Sequence, residues 1–414
     1  MDKKCTFNDI ETSLCTFCGT CIGVCPNDAL EIYEEKIVLK GQCSACGLCY
    51  KACPGIEINF NALNIKIFHT EDVDRYIGYY NTICCAHASD NDIRENASSG
   101  GFVTALLCFL LEKGIIDGAI VVGTNVLNPT EPEVKIARTR EEITLASQSK
   151  YSLVPVNSIL REIHNLEGSF AFVGLPCHIH GLRKLQQMNR PEIKKISLIV
   201  GLFCGFNMHT EATTVLLKKL GLKKEDVISL KYRSGRHPGG FLVNTDYGSQ
   251  FIDKHIYNIL NPIFIPKRCL LCPDLMNELA DISVGDIWMK EFSDGWSSVI
   301  IRTPIGMEAV SKAYKNGWIN CKKLRYDDLL SSHRHLIQFK KEAIHARMSI
   351  INLKPKFFLS KSSYPFKNQL KSYSIAFFLL ITSSRIGKTL FFISPFWLID
   401  SLAKIIDKKI RRKF

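Results

Sequence analysis

Short apolar segments divide this chain into predicted strands and helices. Residues 30–39 (LEIYEEKIVL) alternate between apolar and polar positions as a strand pair does, and residues 56–68 (IEINFNALNIKIF) alternate in the same way. Further short apolar segments predict strands at residues 77–88, 117–124, 169–174 and 196–203. Helical spacing of apolar residues predicts helices from residue 102 to about Gly114 and near residues 179–187 and 210–220. Strands that alternate with helices indicate an α/β body with a mixed, largely parallel sheet.

Eight cysteines near the N-terminus form two copies of one spacing. Cys-x2-Cys-x2-Cys-x3-Cys-Pro occurs at residues 15–26 and again at residues 43–54. In bacterial ferredoxins, three thiolates of each run bind one [4Fe–4S] cluster and the fourth binds the other cluster. The first predicted ligand set is Cys15, Cys18, Cys21 and Cys53, and the second is Cys43, Cys46, Cys49 and Cys25. The alternatives are a disulfide framework and two zinc sites.

Composition places these thiols in a reducing environment. The 414 residues include 17 cysteines, and the first ten residues lack the apolar run of an export signal. We therefore expect a cytoplasmic protein whose thiols bind metal rather than form disulfides. Much of the net charge of +13 lies after residue 340, and no nucleic-acid-binding motif accompanies it, so we expect no nucleic acid partner.

The run Ser98-Ser99-Gly100-Gly101 precedes the first predicted helix of the body. A serine- and glycine-rich loop before a helix exposes free amides to an anion and lets a phosphate approach closely. The alternative is an ordinary serine N-cap with glycines that only form the turn. The motif alone favours neither interpretation.

Four more cysteines are candidates for a third metal centre. Cys269-x2-Cys272 is half of a site and needs two further soft ligands. Cys177 and Cys204 both follow predicted strands, and such positions collect ligands at one edge of a parallel sheet. We predict that these four cysteines bind a third [4Fe–4S] cluster. A zinc site with the same ligands, or buried thiols beside an inert pair, are the alternatives.

Several motifs between residues 75 and 345 together resemble the beta subunit of coenzyme F420-reducing hydrogenase and F420-linked formate dehydrogenase, with a ferredoxin domain fused in front. The motifs are residues 98–101 (SSGG), 149–151 (SKY), 174–183 (GLPCHIHGLR), 202–204 (LFC), 269–274 (CLLCPD) and 280–288 (ADISVGDIW). The resemblance implies FAD beside a [4Fe–4S] cluster. It also implies electron transfer between iron–sulfur centres and a hydride-accepting deazaflavin. Chlorophyll-derivative reductases share this body, so the fold does not define the substrate.

The resemblance assigns roles to individual residues. The implied cofactor-binding residues are Ser98, Ser99, Gly100, Gly101, Lys150 and Tyr151. Lys150 and Asp286 are the implied catalytic residues: Lys150 would offset charge on a phosphate or on the reduced ring, and Asp286 would line or brace the site with Trp288. A plain turn residue after Gly285 is the alternative for Asp286. His178 stands where family members usually carry Gln.

A flavin connects one-electron clusters with two-electron hydride transfer. We therefore predict an oxidoreductase that takes electrons from a redox partner protein such as ferredoxin. The electrons pass through the clusters to FAD and on to coenzyme F420 or another small-molecule hydride acceptor. Relatives with a fused ferredoxin domain also occur in bacteria without F420, often among polysaccharide-synthesis genes. The alternative is a non-catalytic electron-relay or interaction subunit of a larger redox complex.

The predicted domains are an α+β ferredoxin-like domain at residues 1–68, a flavin-loop part at 75–160, a third-cluster part at 161–350 and a basic, helical, amphipathic tail at 351–414. In the tail, apolar runs at residues 374–381 and 390–399 are too short to span a bilayer. Residues 401–414 have apolar and basic faces at helical spacing, which predicts peripheral contact with the inner face of the membrane. A helix packed on the body or on a partner is the alternative.

Overall fold

The computed structural model describes residues 6–235, 237–351, 353, 355–358 and 366–411. The strands are β1 Leu30–Tyr33, β2 Lys36–Leu39, β3 Glu57–Asn59, β4 Thr82–Ala88, β5 Gly118–Gly123, β6 Glu133–Ala137, β7 Phe170–Gly174, β8 Ile196–Leu202, β9 Val227–Ser234, β10 Gly240–Thr245, β11 Gly248–Asp253, β12 Ile282–Asp286, β13 Ser297–Ile301, β14 Ile319–Lys323 and β15 Lys356–Phe358. The helices are α1 Thr20–Gly23, α2 Leu48–Ala52, α3 Phe60–Phe68, α4 Asn91–Glu95, α5 Phe102–Glu112, α6 Arg140–Leu145, α7 Leu160–Ile163, α8 Pro176–Gln187, α9 Glu211–Lys219, α10 Lys254–Asn258, α11 Asn261–Phe264, α12 Pro304–Lys315, α13 Tyr326–Ile337, α14 Ile344–Ile350, α15 Phe366–Thr382, α16 Arg385–Ile393 and α17 Phe396–Arg411.

Eight strands form a central mixed sheet in the order β14-β4-β13-β12-β8-β7-β5-β6. The predicted mixed α/β sheet is confirmed, but the expectation that it is largely parallel was wrong. Only the ladders β12–β8, β8–β7 and β7–β5 are parallel, and the other four are antiparallel. Two of the antiparallel ladders arise because short connections join β5 to β6 and β12 to β13 without a crossover helix, and such connections join antiparallel strands.

The N-terminal cysteine region packs on the body through a shared core. Residues 30–39 form the predicted strand pair, β1 and β2. Residues 56–68 were expected to alternate as a strand but form the short strand β3 and then helix α3. Asn59 begins this helix, because its side chain accepts a hydrogen bond from the Ala62 amide at 3.0 Å. The apolar side chains of α3 join α7 and α8 in one buried cluster, and this burial favours the helix over a strand.

A second, three-stranded antiparallel sheet, β11-β10-β9, lies beside the body and was not predicted. It forms a separate apolar core with α9, α10 and α11, and the tail helices α16 and α17 add Phe391, Ile399 and Ala403 to that core. The tail is therefore helical, as predicted, and one of its faces packs on the body. Residues 412–414 of the predicted amphipathic helix lie outside the described residues.

Membrane-spanning length is not reached by any single helix in the described ranges. A bent pair, Tyr373–Thr382 and Arg385–Ile393, reaches that length and apolar composition only when the two helices are taken together, and their axes meet at 64°.

Candidate functional site

A cavity of about 1700 Å³ opens at the carboxyl ends of the parallel strands of the central sheet. Its walls include Val122 from β5, Gly174 from β7, Leu202 from β8 and Asp286 from β12. Ligands in α/β proteins collect at this edge of the sheet. The cavity is larger than the roughly 300–1,000 Å³ of a usual small-molecule site, so it has room for a dinucleotide-sized cofactor.

Hydrogen bonds to neighbouring strands and loops hold the serines of the Ser-Ser-Gly-Gly loop at the cavity wall. The Ser98 hydroxyl accepts a hydrogen bond from the Ser149 amide at 2.8 Å, so two segments of the family motif meet here. The Ser99 hydroxyl donates to the Trp296 carbonyl at 2.6 Å. Both serines line the cavity, but the Ser99 hydroxyl proton is already used inside the protein.

Glycine is required at positions 100 and 101 for different local reasons. Gly100 lies against β4 and β13, where an added Cβ would stand 2.5 Å from the Ala86 carbonyl oxygen. Its amide donates to the Ser297 hydroxyl at 3.1 Å and is therefore not free for a ligand. Gly101 has φ +72° and is the N-cap of α5, so the alternative of a serine N-cap was wrong.

The first turn of α5 faces the cavity. Phe102, Val103 and Thr104 line it, and the N-cap Gly101 has no side chain to accept their amide hydrogens. A helix start of this kind attracts anions through its amides and its dipole. Within the loop region, the α5 amides are therefore better suited to a phosphate than the amide of Gly100.

One arginine connects three of the residues that the resemblance singled out. Arg233 of β9 is 2% exposed and donates from Nη1 to Asp286 Oδ2 at 3.0 Å and to the Tyr151 hydroxyl at 3.3 Å. Its Nη2 donates to the Ser98 carbonyl at 2.6 Å. The sequence analysis missed Arg233, because no motif marks it and β9 belongs to the sheet that was not predicted.

The charges around this arginine determine what Asp286 can do. Burial alone would raise the pKa of Asp286, but Arg233 and Lys254 hold it well below its usual range. Burial lowers the pKa of Lys254, whose ammonium lies 4.4 Å from the centre of the Trp288 ring. Asp286 is thus an anion across the physiological pH range, which suits bracing of Arg233 better than proton transfer. Its predicted catalytic role stays a prediction.

Lys150 lines the cavity, but its ammonium is bound to the backbone of the segment before it. Its ammonium donates to the carbonyls of Ala146, Ser147 and Gln148 at 2.6, 2.5 and 3.2 Å, which uses all three of its donors. Burial lowers the pKa of Lys150 to about 7, and the three carbonyl acceptors favour the charged form and oppose this shift. Lys150 therefore orders the segment before Tyr151, and its catalytic role stays a prediction.

His178 acts within the protein. Its Nδ1 accepts from the Leu175 amide at 3.1 Å, and its Nε2 lies 3.1 Å from the Val154 carbonyl oxygen. These partners require a proton on Nε2 and none on Nδ1. Burial lowers the pKa of His178 to about 4, so the ring is neutral and caps the start of α8.

The N-terminal thiols lie in the two predicted groups. The pKa of Cys15 is raised to about 12, mainly by burial and also by the nearby Cys18 and Cys53 thiols. The pKa of Cys49 is raised to about 11 by burial, with additions from Cys46, Cys43 and Cys25. The fourth cysteine of each run thus lies with the first three of the other run. Cys43 and Cys46 are exposed, whereas Cys18 and Cys21 are buried, so the second set is nearer to solvent.

The four cysteines of the predicted third centre also meet. Cys177 lies in the first turn of α8, Cys204 follows β8, and Cys269 and Cys272 lie on and just after the turn Lys267–Leu271. Burial raises the pKa of Cys204 to about 12, with contributions from Cys269 and Cys272. The pKa of Cys177 is raised by burial and by the other three thiols.

The structure does not group these thiols around one ion. Throughout the described residues, no three His, Cys, Asp or Glu side chains are grouped as ligands of a single metal ion. A zinc ion holds four ligands in one tetrahedron, whereas a [4Fe–4S] cluster binds each thiolate at a different iron. The third cluster stays a prediction, with a zinc site as its alternative.

Three buried cations surround the third set of thiols. Arg268, Lys340 and Arg347 are at most 4% exposed, and the charges of Cys272 and its neighbours act on each of them. Arg347 Nε donates to the Leu270 carbonyl at 2.7 Å, its guanidinium lies 3.7 Å from the centre of the Phe339 ring, and its two terminal nitrogens have no hydrogen-bond partner among the described residues. A buried guanidinium with unsatisfied donors is costly, so this pocket is suited to an anionic group such as a thiolate-bound cluster.

The three thiol sets follow one another toward the cavity. After burial, Cys18 of the first set has the largest effect on the pKa of Cys177, so the first and third sets lie close together. Arg268 lies between them and donates to the Gly55 carbonyl at 3.1 Å. Cys204 of the third set lines the cavity itself. The exposed second set therefore leads through the first and third sets to the cavity.

The cysteine-rich N-terminal region and the α/β body define an iron–sulfur electron-transfer protein, and comparisons with known proteins agree. A 4Fe-4S dicluster domain matches residues 8–68. The N-terminal and C-terminal parts of the coenzyme F420 hydrogenase/dehydrogenase beta subunit match residues 83–161 and 168–326. The chain belongs to the coenzyme F420 hydrogenase/dehydrogenase beta subunit family.

Individual relatives show how far the similarity extends. The chain is 33% identical over 265 residues to the coenzyme F420 hydrogenase subunit beta of Methanosarcina barkeri. The aligned region covers 61% of this chain and 84% of that subunit. It is 30% identical over 352 residues to the coenzyme F420-dependent sulfite reductase of Methanocaldococcus jannaschii, covering 82% of this chain and 51% of that one. A chain of the F420-reducing [NiFe] hydrogenase complex from Methanosarcina barkeri superposes with a TM-score of 0.56 at 28% identity, covering 69% of this chain and 98% of that one.

Proposed function

We propose that this chain is an iron–sulfur flavoprotein oxidoreductase. It would take electrons from a redox partner protein and deliver them through three [4Fe–4S] clusters to FAD in the cavity. A small-molecule hydride acceptor, coenzyme F420 or another compound, would then receive them. The observation that carries this proposal is the continuous series of thiols from the exposed Cys43 and Cys46 to Cys204 at the cavity wall.

The order of the clusters follows from exposure and adjacency. The second set, with Cys43 and Cys46 exposed, is the entry point for a protein donor. In the first set Cys18 and Cys21 are buried, and this set lies close to Cys177 of the third set. Because cluster potentials respond to nearby charge, the buried Arg268, Lys340 and Arg347 would make the third cluster easier to reduce and favour electron flow toward the cavity.

The cavity supplies what an FAD needs. The amides of the α5 first turn would hold the pyrophosphate, and Ser98 and Tyr151 are fixed at the wall by Arg233. Lys254 at the same wall would offset negative charge. FAD exchanges single electrons with clusters and transfers hydride to acceptors, and this conversion is the chemistry it would supply.

The names of the relatives support the proposed partners. Relatives act with coenzyme F420 as parts of a hydrogenase or as a sulfite reductase, so F420 is the first acceptor to test. The Methanosarcina barkeri relative is a subunit of a hydrogenase, which supports a protein as the electron donor. A cytoplasmic location suits a ferredoxin-type donor, and a role in polysaccharide biosynthesis would require a different hydride acceptor.

The test is anaerobic purification with iron, sulfide and flavin quantified per chain. Three four-iron clusters and one flavin give about 12 irons and one FAD. Cys269→Ser should lower the iron content by about four atoms, one cluster. Cys85→Ser is the matched control, because the Cys85 thiol is fully buried and only donates to the Lys322 carbonyl at 3.5 Å. About eight irons without flavin would instead support the non-catalytic relay, a ferredoxin domain fused to a redox-silent body.

A further inference from the structure

Exposed apolar side chains concentrate in the three tail helices. Of 27 large apolar side chains exposed among the described residues, 11 lie between residues 370 and 402. Phe377 is 63% exposed, Ile386 71%, Ile393 70% and Trp397 68%. A soluble body normally scatters such residues, so a concentration in one short segment indicates an interaction surface. We call this surface, formed by the exposed apolar side chains of α15, α16 and α17, the tail ridge.

The tail ridge is held in place by the opposite face of the same helices. Leu379, Phe391 and Ile399 are at most 8% exposed and pack into the body. Lys219 donates to the carbonyls of Phe392 and Ser394 at 3.0 and 2.7 Å. The exposed face is therefore presented by docked helices and does not result from a detached segment.

Charge indicates what covers the tail ridge. Residues 351–414 contain thirteen Lys and Arg but only two Asp, so they carry eleven of the thirteen net positive charges of the chain. Arg385 and Lys388 lie at the start of α16, and Lys404 lies in α17. An apolar surface with aromatic residues and flanking cations matches an anionic lipid surface, whose headgroups attract cations while the acyl boundary accepts apolar side chains.

The geometry agrees with binding parallel to the membrane plane. No single described helix spans a bilayer, and the bent pair Tyr373–Thr382 and Arg385–Ile393 changes direction by 64°. Exposed apolar residues lie on both arms of this bend, with Phe377 and Phe378 on one and Ile386 and Ile393 on the other. Two short arms can lie in the interface together, where neither has to cross the hydrocarbon core.

We propose that the tail ridge docks the protein onto an anionic bilayer. The apolar side chains enter the headgroup–acyl boundary, and the basic residues contact anionic headgroups. The proposal stands independently of flavin or F420, because the exposed apolar side chains that it uses lie outside the cavity and outside the thiol sets. It places the redox body at a membrane surface.

The test is co-sedimentation of the anaerobically purified full chain with lipid vesicles. We expect binding to phosphatidylcholine vesicles that contain phosphatidylserine, little binding to phosphatidylcholine alone, and weaker binding as salt rises. The variant Ile386→Ser/Ile393→Ser/Trp397→Ser should reduce the bound-to-free ratio by about tenfold or more. Val126→Ser/Leu127→Ser is the matched control, since these residues are 85% and 96% exposed but lie outside the tail.

Unchanged iron content and circular dichroism would show that both variants are folded. Equal sedimentation of the wild type and the tail-ridge variant would overturn the proposal, as would absence of wild-type binding to the anionic vesicles. If the wild type is an oligomer, the tail-ridge variant is a monomer and neither binds lipid, the surface would instead be an interface with a second copy of the chain.

Discussion

Replacing Arg233 with methionine should destabilise the cavity wall, and with it the folded protein, more than a substitution at any single exposed residue does. The guanidinium joins the Ser98 loop, Tyr151 and the end of β12 at Asp286, three segments that are far apart in sequence. Methionine is apolar and has no donors, so all of these bonds are lost while much of the side-chain volume is kept. The segments would then be held only by their own packing.

The magnitude follows from burial. Arg233 has 2% of its side chain exposed and Asp286 has 19%, so the ion pair is largely out of water. Removal of one partner from a buried pair typically costs about 3–5 kcal/mol, because the other charge remains buried. Arg233→Met should therefore lower the free energy of unfolding by about 3–5 kcal/mol. Arg233→Met/Asp286→Asn should recover about 1–3 kcal/mol of that loss.

The assay is urea unfolding followed by far-UV circular dichroism and tryptophan fluorescence, with free energies compared only if the two transitions coincide. Arg325→Met is the control, because it breaks an exposed pair with Asp328 and should leave the midpoint almost unchanged. Bound flavin, measured in the same samples, should also fall in Arg233→Met. Equal unfolding midpoints for Arg233→Met and Arg325→Met would refute the proposed role of Arg233 in holding the three segments together. A double variant Arg233→Met/Asp286→Asn that is less stable than Arg233→Met would refute it as well.

Three further predictions test the cluster, the loop and the acid limit. Arg347→Met should lower the midpoint potential of one cluster in an anaerobic redox titration followed by electron paramagnetic resonance, because it removes a buried cation; an unchanged potential would place Arg347 away from the cluster. Gly100→Ala should reduce flavin retention, since the new methyl group would lie 2.5 Å from the Ala86 carbonyl oxygen; Gly114→Ala strains the backbone at φ +63° but meets no atom within 4 Å and should retain flavin. Burial lowers the pKa of His333 to about 4, so the folded state binds fewer protons there than the unfolded state, and stability should fall as pH drops below about 6.5. This loss should reach about 2 kcal/mol by pH 5 and shrink in His333→Gln; an unchanged acid dependence in that variant would contradict it.

Much of the fold could be predicted from local patterns. The segments 117–124, 169–174 and 196–203 all contain the predicted strands, because a continuous run of buried apolar residues restricts a short segment to one conformation. Residues 56–68 were mispredicted for a related reason. Their apolar positions suit either a strand or a helix, and the Asn59 cap together with packing on α8 favours the helix.

Strand direction lay outside these patterns. A strand that is buried on both faces gives a continuous apolar run whichever direction it takes, so the flanking strands of the central sheet could not be oriented from sequence. The sheet β9–β11 was missed altogether, and with it the cavity wall that carries Arg233. The hydrogen-bond partners of Lys150 could not be predicted from the sequence either, because the position of its three carbonyl acceptors depends on how the chain folds after α6.

The sequence by itself predicted the grouping of the eight N-terminal cysteines, because ligand spacing within each run is a local property of the chain. It also brought Cys177, Cys204, Cys269 and Cys272 forward as one candidate set, through their positions after predicted strands. Only the tertiary structure decided what surrounds these thiols. The buried cations, the effect of Cys18 on the pKa of Cys177 and the opening of Cys204 to the cavity all depend on segments far apart in sequence. Such contacts arise from the packing of whole elements, which no local pattern encodes.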